Sequence, residues 1–259
     1  MLRKVLLATS AILGMSGVAM SADMSMPVKA VAPAYVYDWS GIYLGGVIGG
    51  AWDNHDLSDP GLGIVGTILG VPVVQTNKGS GFIGGVEVGS RYQFGKLVVG
   101  WEGDVTWGDI NNTSTTTNAG PLGAGLISRS LSTSINWTGT GTATIGIAHN
   151  NWLLYGKAGA AVESVSYTET FNAAGVGTVF SGTGNDKNRV GWTVGTGLEW
   201  AFWQNWSVKA EYDYLDFGTR NVAINGSAVG VPLQFGLQDN NHVNQFKAGL
   251  NYKFMPNFW

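Results

Sequence analysis

From Phe82 onward the chain alternates apolar and polar residues with a period of two. That period is the mark of a β-strand with one apolar and one polar face. In 82–94, Phe82, Val86, Val88, Tyr92 and Phe94 share one parity, and Glu87, Arg91 and Gln93 the other. In 97–107, Leu97, Val99, Trp101, Val105 and Trp107 oppose Glu102, Asp104 and Thr106. The pattern recurs in 136–147, 152–163, 189–201, 206–217 and 243–254. It is cleanest in the last segment, where Phe246, Ala248, Leu250, Tyr252 and Phe254 oppose Gln245, Lys247, Asn251 and Lys253. An earlier segment, 39–52, is apolar or glycine at both parities, so its faces cannot be assigned from pattern. It is taken as a strand for Tyr43, Val47, Ile48 and its two terminal tryptophans.

Connections alternate in length. Gly95–Lys96, Ala148–Asn151 and Phe202–Asn205 are tight, whereas 53–81, 108–135, 164–188 and 218–242 are long. Segments of ~10 alternating residues joined by short and long turns in strict rotation describe a transmembrane β-barrel, with the long connections outside the cell. Eight strands then put both chain ends on the periplasmic side. The expected architecture is all-β: an eight-stranded antiparallel up-and-down barrel with four long extracellular loops.

Composition sharpens this picture. Only 12% of residues are charged, and there are 40 glycines and 11 tryptophans. After the first twenty residues no apolar run is long enough for a spanning helix, and a closed barrel is the other way to satisfy the backbone in lipid. Residues 1–22 carry Arg3 and Lys4, an apolar stretch and the small residues Ala19, Ser21 and Ala22, as a secretory signal peptide does. Its removal takes the formal charge from −3 to −5, which argues against a nucleic-acid partner. Residues 23–36 are expected to be a periplasmic linker, and 37–259 the barrel. With no cysteine, disulfides and thiolate metal sites are excluded; no cofactor is implied.

The inward parity carries Glu87, Glu102, Asp104, Glu163, Glu199, Glu211 and Asp213 against Arg91, Lys157, Arg189, Lys209, Lys247 and Lys253. An eight-stranded lumen is just wide enough for side chains to fill it. Acids and bases in near balance therefore point to a charge-plugged interior, with a narrow channel for small solutes or a proton relay as the competing readings. Trp39, Trp52, Trp107, Trp137, Trp152, Trp200, Trp203 and Trp206 lie near strand ends and suit aromatic girdles; Trp101 and Trp192 should face lipid.

Other motifs carry little chemistry. Gly61-Leu62-Gly63-Ile64-Val65-Gly66 matches a dinucleotide fingerprint but follows Ser58-Asp59-Pro60 in an expected loop, outside any βαβ unit. His55 and His242 fall in expected external loops and His149 in a turn. His242, Asp239 and Ser227 share one such loop, a weak hint of a hydrolase; the expectation is no enzyme. Residues 111–118 read as a solvated, mobile tip. Residues 61–74 are apolar and uncharged, and Val229, Val231, Leu233 and Phe235 form a second apolar stretch. Both either pack as extended hairpins or offer a binding surface for an unidentified loop ligand.

Tyr37-Asp38-Trp39-Ser40-Gly41-Ile42-Tyr43-Leu44-Gly45, with Phe246-Lys247-Ala248-Gly249-Leu250-Asn251-Tyr252-Lys253-Phe254, gives the mature chain a family likeness. It resembles the small alphaproteobacterial outer-membrane barrels, often called immunogenic or porin-family proteins, of rhizobia, Brucella and Bartonella. The resemblance implies location in the outer membrane with lipid around the barrel, surface exposure, antigenicity, and assembly by the barrel-assembly machinery. It also implies haemin binding in some relatives, for which His55, Tyr167 and His242 are the external-loop ligand candidates, alongside adhesion. The chain departs from the family in running on past Phe254 to Trp259, so either aromatic is a candidate assembly signal.

Overall fold

The computed structural model describes residues 37–58, 74–119, 125–228 and 230–254. Every described residue belongs to one compact unit, Val36–Trp259. The expected signal peptide, the linker, the glycine-rich 61–66 motif and Trp259 lie outside the described residues.

Eight strands form one closed antiparallel ring in sequence order: β1 (Gly41–Ser58), β2 (Val74–Phe94), β3 (Leu97–Ala119), β4 (Leu126–His149), β5 (Trp152–Ala173), β6 (Gly177–Ala201), β7 (Trp206–Ala228) and β8 (Val231–Phe254). β1 closes the ring on β8, from Ile42 opposite Phe254 to Ser58 opposite Gln238. Two turns are set by positive φ: Gly95 at +61° turns β2 into β3, and Asn150 at +53° turns β4 into β5. Such angles fit the two-residue turns whose twist matches a hairpin.

The strands are far longer than expected. A spanning strand needs ~9–11 residues, and these have 18 to 25. The excess lies in the segments expected to be loops. Residues 111–118, expected to be a mobile tip, are strand paired with β4 from Asn111–Ser134 to Asn118–Ile127. The expected loops 164–188 and 218–242 are mostly ladder, turning only around Gly175 and Gly230. Of the expected apolar patch 229–235, Val231, Leu233 and Phe235 lie in β8.

Two kinds of wall follow from this. In the lower half the outward parity is apolar, with Ile48, Phe82, Val86, Ile145, Leu154, Leu198 and Phe246 exposed. Trp52, Trp107, Trp192 and Tyr212 bound this band at the extracellular side, and Trp152, Trp200, Trp206 and Phe254 at the periplasmic side. Trp101 and Trp192 face outward as expected. Above the band the polarity inverts. Ser128, Ser130, Ser132 and Ser134 face out, while Ile127, Leu131 and Ile135 are buried.

Register shifts cluster where the two halves meet. They fall at Trp107–Ile110 on β3, Ile135–Trp137 on β4, between Arg189 and Asp186 on β6, and at Asp216–Gly218 on β7. The β6–β7 ladder is also interrupted there. Phe180–Thr183 pair with Ala228–Asn225 and Trp192–Ala201 with Asp216–Ser207, leaving a seam between these two runs.

Candidate functional site

The inward side chains form three tiers, with a further cap at the periplasmic mouth. The lowest tier lies within the lipid band and is charged. Glu87, Glu102, Asp104, Glu199, Glu211 and Asp213 enclose Arg91, Lys157, Lys209 and Lys247, and all are buried. Lys209 Nζ lies 2.7 Å from Glu87, 3.1 Å from Glu102 and 3.0 Å from Glu211. Lys157 reaches Glu211 at 2.7 Å and Glu102 at 3.1 Å, and Lys247 reaches Asp213 at 2.7 Å and Asp104 at 3.2 Å. Arg91 pairs with Glu199 at 2.6 Å and stacks over the Tyr43 ring at 4.3 Å. Tyr43 and Tyr155 donate their hydroxyls to Glu102 and Glu211. Three of these strands supply lysines and four supply acids, so the cluster exists only in the closed ring.

The near balance expected of the whole interior is not local. Six carboxylates meet four cations in this tier. Glu163 and Arg189 stand higher. Lys253 sits at the periplasmic mouth, where it donates to the Asp38 carbonyl and lies 4.0 Å over the Tyr37 ring. Trp39, expected in a girdle, is instead buried with Tyr37, their rings 4.7 Å apart. The segment before β1 turns into the mouth and is tied there by the Trp39 amide donating to Gln93. These rings cap the periplasmic end with Val98, Ala148, Leu153, Tyr155 and Ala201.

In the second tier, above the lipid band, Glu163 and Arg189 face inward as expected, whereas Asp53, His55, Tyr167, Asp239 and Asn241 join them from segments expected to be loops. His55, fully buried, lies between two carboxylates: Nε2 is 2.8 Å from Asp53 and Nδ1 is 2.9 Å from Asp239. Tyr167, at 2.6 Å, and Arg189, at 2.7 Å, both donate to the Asp239 carboxylate, while Asn241 donates to Glu163 at 2.9 Å. Arg189 also donates to the carbonyls of Phe217, Gly218 and Asp239, bridging the β6–β7 seam and reaching β8. The third tier is an apolar core of residues such as Leu131, Phe171, Phe180 and Ile224. Within it Arg129 pairs with Glu169 at 2.5 Å.

The haemin-ligand candidates therefore stand on strands, not loops. His55 and Tyr167 point inward, and both are engaged by Asp239. His242 is on the outward parity, half-buried, and contacts Asn54. The imagined grouping of His242 with Ser227 is also corrected. Register puts Ser227 opposite Pro232, ten positions along β8 from His242, which at the rise of a strand is roughly 30 Å. Among the described residues no cluster of His, Asp and Glu suits a metal ion.

Burial by itself lowers the His55 pKa, but the hydrogen bond to Asp239, the close Asp53 carboxylate and the charge of both outweigh it and hold the group at about 9. Asp239 is held below its ordinary value: burial raises it, and His55 and Arg189 more than offset that. An imidazolium held this way stabilises the fold fully below the unfolded-state value near 6.5 and loses that contribution as pH rises through about 9. The shift corresponds to ~3 kcal/mol. Urea unfolding of the folded barrel is expected to show stability falling from pH 6.5 to 9.5, with the slope flattened in His55→Gln. An unchanged slope in that variant would show that His55 is not the titrating group.

Comparison with known proteins agrees with this architecture. The family model described as "Outer membrane protein beta-barrel domain" matches residues 16–254. The chain is similar to the 31 kDa outer-membrane immunogenic protein of Brucella melitensis, with 31% identity over 98% of this chain and 100% of that protein. The 25 kDa outer-membrane immunogenic protein of the same organism is 26% identical over 98% of this chain and 99% of its own length. The 22 kDa outer membrane protein of Rhizobium leguminosarum is 24% identical over 83% of this chain and 78% of its own length. Among solved structures, the outer membrane protein OprG from Pseudomonas aeruginosa aligns at TM-score 0.46 and 16% identity, covering 84% of this chain and 99% of its own. An eight-strand ring with an apolar outer band and girdles, matched by the family model over most of its length, places the chain in the outer membrane as a member of the outer membrane protein beta-barrel family.

Proposed function

We propose that this chain is a closed structural barrel of the outer membrane that holds a tall, rigid surface outside the cell and conducts nothing. The observation that carries this reading is the filled interior. Lys157, Lys209 and Lys247 have no exposed side-chain surface and each lies within 4 Å of at least three carboxylates. Rings cap the tier below and an apolar core closes it above. A water-filled path would leave these groups exposed.

No catalysis is assigned to the Asp53–His55–Asp239 group, because none of the three is accessible to a substrate. Relatives whose names describe them as immunogenic support a surface met by antibodies. On the same reading residues 1–22 are an export leader and 23–36 a periplasmic linker. Phe254, the last and outward residue of β8, serves the assembly machinery as the terminal aromatic.

Planar-bilayer recording on the refolded protein tests the reading. The wild type and Glu102→Gln are expected to be silent. A steady, defined open level in the wild type would replace the scaffold with the narrow-channel alternative.

A further inference from the structure

Above the lipid band, the outer wall of β3 to β6 has a composition of its own. Register sets Thr113, Ser132, Thr168 and Thr183 in one row across the four strands. The row above it is Thr115, Ser130, Thr170 and Ser181. The rows flanking these two are again only Ser, Thr and Asn. No charged side chain points outward in the four rows. The same strands do carry charge: Arg129 and Glu169 turn it inward, and Asp186 and the exposed Lys187 stand at the register shift below the lowest row. An average soluble domain is ~25% charged, so a solvated face of this size with none is unusual.

The hydroxyls are ordered. Thr113 bonds Ser132 at 3.1 Å, Thr115 bonds Ser130 at 3.3 Å and Thr117 bonds Ser128 at 2.8 Å. A hydroxyl has one donor and two acceptor lone pairs, so each pair keeps capacity for a further partner. Strand spacing makes the patch about 14 Å wide and about 20 Å tall. It begins directly above Trp107 and Trp137, which face each other across β3 and β4 at the edge of the lipid band.

That continuity fixes what lies against the face. At this height a barrel meets the headgroups of the outer leaflet, which in an outer membrane are the sugars of its glycolipid. We propose that the β3–β6 face docks the neutral core sugars of the surrounding outer-leaflet glycolipid. Ordered hydroxyls and amides exchange hydrogen bonds with sugar hydroxyls. The lack of any cation within the four rows distinguishes such a face from one that grips the lipid's phosphates, which recruits Lys and Arg. The proposal rests on the outer-membrane location and not on whether the barrel conducts.

The test reconstitutes the full-length barrel with two lipids: the glycolipid bearing its core sugars, and the same lipid stripped to its phosphorylated anchor. Lipid retained per barrel after detergent challenge is counted by native mass spectrometry. Wild type is expected to retain the sugar-bearing lipid at least fivefold over the stripped one. A triple variant, Thr115→Val, Thr168→Val and Thr170→Val, keeps strand shape and removes three hydroxyls; circular dichroism checks that it folds. It is expected to lose the preference, while Thr76→Val on β2 keeps it. Equal retention of both lipids by wild type, or a preference surviving in the triple variant, overturns the proposal. Binding of the free core oligosaccharide without any preference between the lipids also overturns it, by assigning the face to soluble glycan.

Discussion

Lys209→Met is expected to destabilise the barrel by about 3–5 kcal/mol, the usual effect of removing one partner from a buried ion cluster, whereas Glu87→Gln is expected to be close to neutral. Lys209 is the cation shared by Glu87, Glu102 and Glu211 at 2.7, 3.1 and 3.0 Å. Its loss strips the buried Glu87 of its lysine and leaves Glu102 and Glu211 to share Lys157. Glu87 is different because six carboxylates here meet only four cations. Removing one negative charge from a site with an excess relieves repulsion, and an amide of the same shape can still accept from Lys209. Guanidinium unfolding in lipid vesicles, followed by tryptophan fluorescence, compares the two variants. If Glu87→Gln proved as damaging as Lys209→Met, strict pairing rather than an acid excess would govern this tier.

Arg189→Met is expected to have a comparable cost, about 3–5 kcal/mol, but confined to one wall. Arg189 spans the seam where β6 and β7 lack ladder pairs, donating to the carbonyls of Phe217 and Gly218 and to both the carbonyl and the carboxylate of Asp239. One planar guanidinium thus replaces several missing backbone hydrogen bonds. Amide exchange is expected to accelerate in 184–191 and 217–224 and to stay slow in the lipid-embedded halves of the same strands. Arg189→Lys keeps the charge but lacks the fork and should recover only part of the protection. Uniformly faster exchange throughout the barrel would mean that Arg189 supports the ring as a whole.

The contrast between tiers explains what the sequence made legible. Below the girdles, apolar outward and polar inward positions alternate without interruption, and strand order, tight turns and lower-tier charges could all be read from it. The expected strands stopped at two kinds of place. On β1, β2, β5 and β8 they stopped at the girdle, because above it water replaces lipid outside and the apolar parity moves inward; on β3 the girdle residue Trp107 is also where a register shift begins. On β4, β6 and β7 they stopped beside Asn136, Asn188 and Phe217, where register shifts fall. An extra residue in a strand exchanges its two faces. Ile127, Leu131 and Ile135 are inward at odd positions, and Thr138, Thr140 and Thr142 are inward at even ones.

Much of the second tier was hidden by the same inversion. Asp53, His55 and Asp239 looked like loop residues because their outward neighbours are polar. A search for alternation of either sign would have found Ile127-Ser128-Arg129-Ser130-Leu131-Ser132 as strand. Trp39 was misplaced for another reason. Its position beside a strand end matches a girdle, and only the turn of 37–40 into the mouth shows otherwise.

The ladders that run almost to the hairpin tips also decide how this surface is recognised. Thr113, Ser132, Thr168 and Thr183 adjoin in space though 70 positions separate the first from the last. An antibody against this wall reads four strands together, so its epitope is a shape that no linear fragment of the chain reproduces. A peptide vaccine copied from any one hairpin would display the right letters without the word they spell.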